Sequence, residues 1–134
     1  MIRFCVILLL AAALVGVAFW EQSYIDNTFK KMENETATLI QMILDVPEEG
    51  ELYKSPATVK HKIDHLHRFW IKKERKMCIV MRHMELSYIS DALIYARNFV
   101  HFDNKEESCA GLERLNYLIT AYSQVYGTNA INIF

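Results

Sequence analysis

Histidine is the residue type through which this chain is best equipped to bind a metal ion. His61 and His65 are four residues apart, so a helix would place both imidazoles on one face. Hydrolytic zinc helices carry a glutamate directly after the first histidine, but this chain has Lys62 there, and Lys60 and Arg68 would also repel a cation. We therefore predict a solvated helix face, no metal ligand and no cofactor. A helical sensor or metal-binding module that uses His61 and His65 is the alternative.

A second group of reactive side chains, His83, Glu85 and Asp91, combines an imidazole with carboxylates. A general base also needs a cleft and a partner, and the sequence has no phosphate-binding loop and no nucleophile motif. We therefore predict that the protein is not an enzyme and that His83 and Glu85 lie in a structural or interaction cluster. Asn132 is predicted to join them, because the apolar tail around it (131–134) gains by docking and its amide then needs hydrogen-bond partners.

Three cysteines raise the question of a disulfide. Cys5 lies in an apolar N-terminal run, whereas Cys78 and Cys109 are predicted on different helices. A bridge between them is chemically allowed if this part of the chain is exported, but the sequence cannot place their Cβ atoms close together. Buried free thiols that pack as small hydrophobic groups are the favoured prediction.

The charged residues are unevenly distributed along a chain whose net charge is −1. Residues 21–53 carry eight acidic and two basic side chains, residues 54–82 two acidic and nine basic, and residues 83–134 six acidic and three basic. The overall balance gives no reason to predict nucleic-acid binding. The alternation favours a basic helix between acidic ones in one bundle, and a basic surface for an anionic lipid or polymer is the alternative.

The first twenty residues predict a membrane anchor. From position 4 onward, 17 consecutive residues are uncharged, enough helix for roughly 25 Å of hydrocarbon, and Trp20 closes the run where an indole prefers the interface. A cleaved signal peptide is the alternative, since Gly16 and Ala18 suit a signal peptidase. The run is longer than a typical signal core, and its basic flank is the single Arg3. We therefore predict a retained transmembrane signal anchor over residues 1–20.

The charges that flank the anchor predict its orientation. Arg3 precedes the apolar run, while Glu21 and Asp26 follow it. Positive flanks stay in the cytoplasm. The prediction is a single-pass protein of the cell membrane, with a cytoplasmic N-terminus and an extracytoplasmic helical-bundle domain over residues 21–134.

Apolar residues recur at helical spacing through the rest of the chain. Breaks at residues 45–50 and 102–104 divide it, and Ser55-Pro56 predicts the start of a helix that reaches about residue 82. The junction near His83 has no glycine or proline, which leaves open whether the second and third helices are continuous. The predicted stripes are Ile25, Phe29, Met32, Thr36, Leu39, Ile43 and Val46; Val59, Ile63, Leu66, Trp70, Met77, Val80 and Met84; Leu86, Ile89, Leu93, Ala96 and Val100; and Leu112, Leu115, Ile119, Tyr122 and Tyr126, before Gly127.

These stripes predict an all-α fold. The N-terminal transmembrane helix would continue into an antiparallel bundle of three to four helices, because helices of similar length joined by short loops pack as antiparallel neighbours. The residues predicted to fill the core are Trp70, Leu86, Leu93, Leu112 and Leu115.

Several short patterns in the second half of the chain are those of a known family. They are Phe69-Trp70 in a basic helix, His83-Met84-Glu85-Leu86 at a helix start, Ile89, Leu93 and Arg97, the charged turn 103–107, Leu112 and Leu115, and the terminal Asn132-Ile133-Phe134. In these the chain resembles domain of unknown function 4363, a family of small membrane proteins of Firmicutes, especially Clostridia. The resemblance implies a bacterial, surface-facing protein with an uncleaved anchor, and it implies no activity.

The function predicted from these features is a non-enzymatic interaction or structural role at the membrane. The partner would be another membrane or cell-surface protein, which the sequence does not identify.

Overall fold

The fold is entirely helical over the part of the chain that the structure describes. The computed structural model describes residues 2–46 and 58–127, which form helices and turns and contain no strand. The four helices are α1 (Ile2–Leu44), α2 (Val59–Met77), α3 (His83–His101) and α4 (Lys105–Tyr126). The all-α prediction is therefore confirmed, including one long apolar helix at the N-terminus.

Helix α1 has two halves with different surroundings. Every residue from 4 to 20 is exposed, and the apolar half holds an 18-residue window of mean hydropathy 2.4 that is 0% buried. From Ile25 onward the predicted stripe faces the other helices, and all its members are buried except the half-buried Val46. The apolar half is long enough to cross a membrane, although a signal sequence shares these features.

Helix α2 begins later than the sequence predicts. Thr58 is its N-cap, and the Thr58 hydroxyl accepts a hydrogen bond from the backbone N–H of His61 at 3.4 Å. This bond satisfies one of the unpaired N–H groups of the first turn. The predicted start signal Ser55-Pro56 lies outside the described residues, and so do residues 47–50 of the predicted break.

Helices α2 and α3 are separate. Helix α2 ends at Met77 and not near residue 82, and the backbone N–H groups of Val80 and Met81 donate to the Met77 carbonyl at 3.0 and 2.9 Å. The turn moves the following residues out of helical register, so that Met81 is buried. The predicted stripe members Val80 and Met84 are exposed instead. The stripe is wrong beyond Met77 because the chain leaves helical geometry there without any glycine or proline to signal it.

The turn between α3 and α4 forms where the sequence predicts it. Asp103 has a φ of 58°, in the left-handed region that aspartate tolerates better than most residues. Asn104 then caps α4, because its side-chain oxygen accepts a hydrogen bond from the backbone N–H of Glu107 at 3.0 Å.

Gly127 ends α4 as predicted, but for a different reason from the usual one. Its φ is −83°, so the glycine is not required for a left-handed turn. A side chain is excluded by space instead, since a Cβ would collide with the Ser123 carbonyl oxygen and lie 2.7 Å from Asp26 Oδ1.

The four helices enclose one core. Helices α1 and α3 each pack against α2 and α4. At Gly111, α3 and α4 approach so closely that an added Cβ would lie 2.9 Å from the Ala96 Cα. The five residues predicted to fill the core, Trp70, Leu86, Leu93, Leu112 and Leu115, are all buried in it.

Candidate functional site

A candidate functional surface lies where the exposed half of α1 ends. We call it the Trp20 end, and define it by Trp20 and Tyr24 of α1, the last turn of α2 and the connection 78–82. The Trp20 and Tyr24 rings are stacked, with centroids 6.1 Å apart. The aromatic pair therefore forms one wall, against which the end of α2 packs.

Lysine side chains hold α1 and α2 together at this wall. Lys73 Nζ lies 4.5 Å from the Tyr24 ring centroid, and Lys76 Nζ lies 5.9 Å from it. In the other direction, Lys31 Nζ of α1 lies 4.5 Å from the Phe69 ring centroid of α2. Each such contact is worth about 0.5–1 kcal/mol at an exposed site. Part of the positive charge of α2 thus fixes how α1 and α2 face each other.

A cavity of about 280 Å³ opens between α1 and the α2–α3 connection. Its walls are mostly apolar, while Lys76 and Glu21 contribute charge. Apolar walls with a few polar groups at the mouth bind ligands that have an apolar portion. The lining residues are Trp20, Glu21, Tyr24, Ile25, Lys76, Met77, Ile79 and Val80.

A hydrogen-bonded chain joins α2 to α3 beside the core. Trp70 Nε1–H donates to Ser90 Oγ at 2.7 Å, and the Ser90 hydroxyl donates to Glu74 Oε1 at 2.8 Å. The chain satisfies the indole N–H, which is costly to bury without a partner. The chain therefore links the buried indole of α2 to α3 through Ser90.

The opposite end of the domain carries two lysines that connect helix ends. We call it the Phe102 end, and define it by Val46, Thr58 and the turn 101–104. Lys105 Nζ donates to the Val46 carbonyl at 2.8 Å, which ties the start of α4 to the end of α1. Lys60 Nζ lies 3.1 Å from Asp103 Oδ1, which ties the start of α2 to the end of α3.

Asp64 is the centre of a second polar contact between α2 and α3. Its Oδ1 accepts a hydrogen bond from Arg97 Nε at 2.6 Å and lies 3.1 Å from His101 Nε2. Burial raises the pKa of Asp64, but the hydrogen bonds with His101 and Arg97 outweigh it, so that the pKa lies below its ordinary value of 3.8. The folded protein therefore stabilises the charged form of the Asp64 side chain relative to the neutral form.

Replacing Asp64 with asparagine should remove stability that depends on pH. The folded-state pKa of Asp64 is depressed, so its contribution is present above the unfolded pKa and is lost as the pH falls through the folded pKa. We expect the parent to have the larger free energy of unfolding near neutral pH, and its difference from Asp64→Asn to shrink below about pH 4. Urea unfolding of the full chain in detergent, followed by circular dichroism, measures it. Glu113→Gln, which removes an exposed carboxylate, controls for net charge, and a parent–variant difference that is the same at every pH would contradict the assignment.

The structure describes two of the three residues of the predicted cluster, His83 and Glu85. Asn132 lies outside the described residues. His83 is exposed at the start of α3, and Glu85, two residues on, accepts a hydrogen bond from the Tyr126 hydroxyl at 2.5 Å. That bond and burial raise the pKa of Tyr126. Glu85 therefore joins α3 to the last turn of α4, and no sequence pattern predicts this pairing.

The histidines of α2 do not converge on a metal site in the described part of the chain. His61 and His65 are both exposed, and no group of three or more histidine, cysteine or carboxylate side chains there could hold an ion. The half-buried His67 has a pKa lowered by burial and by the nearby Arg97. The histidine with a described carboxylate contact is His101 of α3, on Asp64.

The cysteines within the described residues are free. Cys78 is exposed, contrary to the prediction of a buried thiol, because it lies in the turn that follows α2. Cys109 is half-buried, and burial raises the pKa of its thiol.

No family model, curated protein or solved structure matches this chain. The resemblance to domain of unknown function 4363 stays a prediction, because none of these comparisons tests it.

Proposed function

We propose that this chain is a single-pass membrane protein whose helical domain is held at the bilayer surface by its own first helix. The observation that carries the proposal is that residues 4–20 of α1 are apolar and exposed on every side. A helix that is apolar all round needs an apolar environment, either a protein core or lipid. Residues 1–20 would be the anchor and residues 21–134 the domain.

The domain is proposed to be an antiparallel bundle. Contacts between helix ends support this arrangement. Lys60 near the start of α2 reaches Asp103 just after α3, and Glu85 near the start of α3 binds Tyr126 at the end of α4. Lys105 at the start of α4 likewise reaches Val46 just after α1.

The domain is proposed to act as a non-enzymatic interaction or structural module, extracytoplasmic, with another membrane or cell-surface protein as partner. Support comes from the use made of its polar side chains. Ser90 and Glu74 hold Trp70, while Asp64 and Arg97 join α2 to α3. These side chains form hydrogen bonds that connect α2 with α3. The resemblance to a family of surface-facing bacterial proteins agrees with this role.

Retention of the anchor has a direct test. Mass spectrometry of the protein purified from its membrane should find residues 1–18 present, and the protein should resist extraction by alkaline carbonate, because a spanning helix leaves the bilayer only at great cost. To test orientation, Phe102→Cys in a Cys78→Ser background offers a thiol at the far end of the domain. A membrane-impermeant maleimide should label this thiol in intact cells, and Cys78→Ser alone is the control.

Three outcomes would count against parts of this proposal. A mature N-terminus near Phe19 would refute the anchor and leave export intact. Labelling of the Phe102→Cys thiol only after lysis would refute the orientation. Co-purification from gently solubilised membranes that yields the chain alone would count against a stable protein partner.

A further inference from the structure

We propose that the connection between α2 and α3 docks on the bilayer and binds the headgroups of anionic phospholipids. The inference rests on the proposed membrane anchoring, and it adds a second, reversible contact between the domain and the lipid.

The position of the connection follows from the cavity at the Trp20 end. Ile79 and Val80 line that cavity together with Trp20. Trp20 is the last residue of the apolar half of α1, where an indole marks the boundary between hydrocarbon and water. The connection therefore lies beside the point at which the anchor leaves the membrane, on the side of the domain that faces the lipid.

Large apolar side chains in and next to the connection are exposed to solvent. Ile79 is 82% exposed, and Met84 at the start of α3 is 66% exposed. Val80 is 38% exposed at the mouth of the cavity. Large apolar groups gathered at one tip mark an interaction surface. At this position, the surface that meets them is the interfacial layer of the bilayer.

Basic residues are concentrated in the part of the sequence that leads into and out of this apolar tip. Residues 72–82 contain five basic residues and a single carboxylate, Glu74, which accepts a hydrogen bond from Ser90. Glu21 and Glu85 also lie near this end, and Glu85 is bound to Tyr126. The five basic residues are Lys72, Lys73, Arg75, Lys76 and Arg82.

The charge pattern selects anionic lipid over a neutral surface. Basic residues near a membrane are attracted by the negative potential of anionic headgroups, and apolar side chains between them enter the interfacial layer. The Phe102 end offers no such pattern among its described residues, because Lys60 is paired with Asp103 and Lys105 with a backbone carbonyl. An anionic bilayer surface therefore fits the Trp20 end and not the opposite one.

The native thiol of Cys78 provides the probe. It is exposed within the connection, so a full-length Cys5→Ser, Cys109→Ser protein can carry an environment-sensitive fluorophore there. The protein is reconstituted in nanodiscs of phosphatidylcholine alone or with about 30% phosphatidylglycerol. We expect emission at Cys78 to shift to the blue and to rise about twofold in the anionic discs, and the shift to weaken with added salt.

Two matched variants separate the contributions of charge and position. Lys72→Gln, Arg75→Gln and Arg82→Gln together should abolish the lipid-dependent shift, since all three residues are exposed and close in sequence to the connection. Lys62→Gln, Arg68→Gln and Arg114→Gln remove the same charge elsewhere and should preserve it. A fluorophore on Phe102→Cys, in a background without the other cysteines, should report water in both lipids.

Carbonate extraction tests the anchor, and the Cys78 probe tests the docking separately. If the chain resists carbonate extraction but the Cys78 probe reports water in both lipids, the docking is wrong and the anchor stands. An equal blue shift in both lipids would refute the selection of anionic headgroups. A chain that carbonate extracts would refute the anchor and the docking together.

Discussion

Replacing Trp70 with alanine is expected to lower the free energy of unfolding by about 3–5 kcal/mol. Trp70 is 1% exposed and packs in the core on α2. Its removal leaves a cavity and also removes the indole N–H that donates a hydrogen bond to Ser90. The Ser90 hydroxyl then keeps only its hydrogen bond to Glu74 among the two described here. Both effects act in the same direction, because lost packing and a disturbed buried hydrogen bond each destabilise the folded state.

The loss is measured by thermal unfolding of the full chain in detergent micelles. For a domain of this size, the midpoint should fall by more than about ten degrees. Trp70→Phe keeps most of the apolar volume and removes the N–H, so its smaller loss isolates the hydrogen bond to Ser90. Tyr117→Ala, at a residue that is 72% exposed, should leave the midpoint nearly unchanged. A Trp70→Ala midpoint within about a degree of the parent would show that Trp70 does not support the core.

Replacing Gly111 with leucine is expected to destabilise the domain by about 2–3 kcal/mol or more through overpacking. Even a Cβ at this position would lie 2.9 Å from the Ala96 Cα and 2.9 Å from Tyr95 Cδ1. The Ala96 atom belongs to the backbone of α3 and cannot move aside as a flexible side chain would. A larger side chain must therefore push α3 and α4 apart. The gain of about 1 kcal/mol in helix propensity over glycine does not offset this cost.

The adjacent Ala110 supplies the matched control. It lies on α4 but is exposed, so Ala110→Leu tests the same side chain on the same helix without the close crossing. We expect the two variants to differ by more than about 2 kcal/mol in urea unfolding. Equal stabilities for Gly111→Leu and Ala110→Leu would mean that α3 and α4 are not in close contact at Gly111.

The stripes on α1 and α3 could be predicted because their helices are regular. Along α1, the alternating three- and four-residue steps from Ile25 to Ile43 keep one face turned to the core, and every member is buried. The stripe on α3, from Leu86 to Val100, holds for the same reason. The spacing alone predicts Thr36 in the stripe, and Thr36 is buried although its hydroxyl has no described hydrogen-bond partner.

The end of α2 could not be predicted, because its stop has no sequence signal. Met77 begins a turn made of ordinary apolar residues, and periodicity alone extends the stripe to Val80 and Met84. The polar contacts of the candidate sites were missed for a related reason. Asp64 and Arg97 are 33 positions apart, so their pairing depends on how α2 and α3 face each other. Two local signals were available: Asp64 is an acid in a basic segment, and Arg97 and His101 share a helix face.

The unbroken path of α1 from Ile2 to Leu44 has a mechanical consequence. If the apolar half lies in a bilayer, as we propose, no hinge separates it from the domain, and the helix acts as a lever. The arm from Trp20 to Leu44 is roughly 36 Å long at 1.5 Å per residue. A tilt of about 20°, common for spanning helices, would displace its tip sideways by roughly 12 Å. Changes in bilayer thickness that alter the tilt would thus be transmitted to the Phe102 end, and one residue inserted after Trp20 would rotate the whole domain by about 100° around the helix axis.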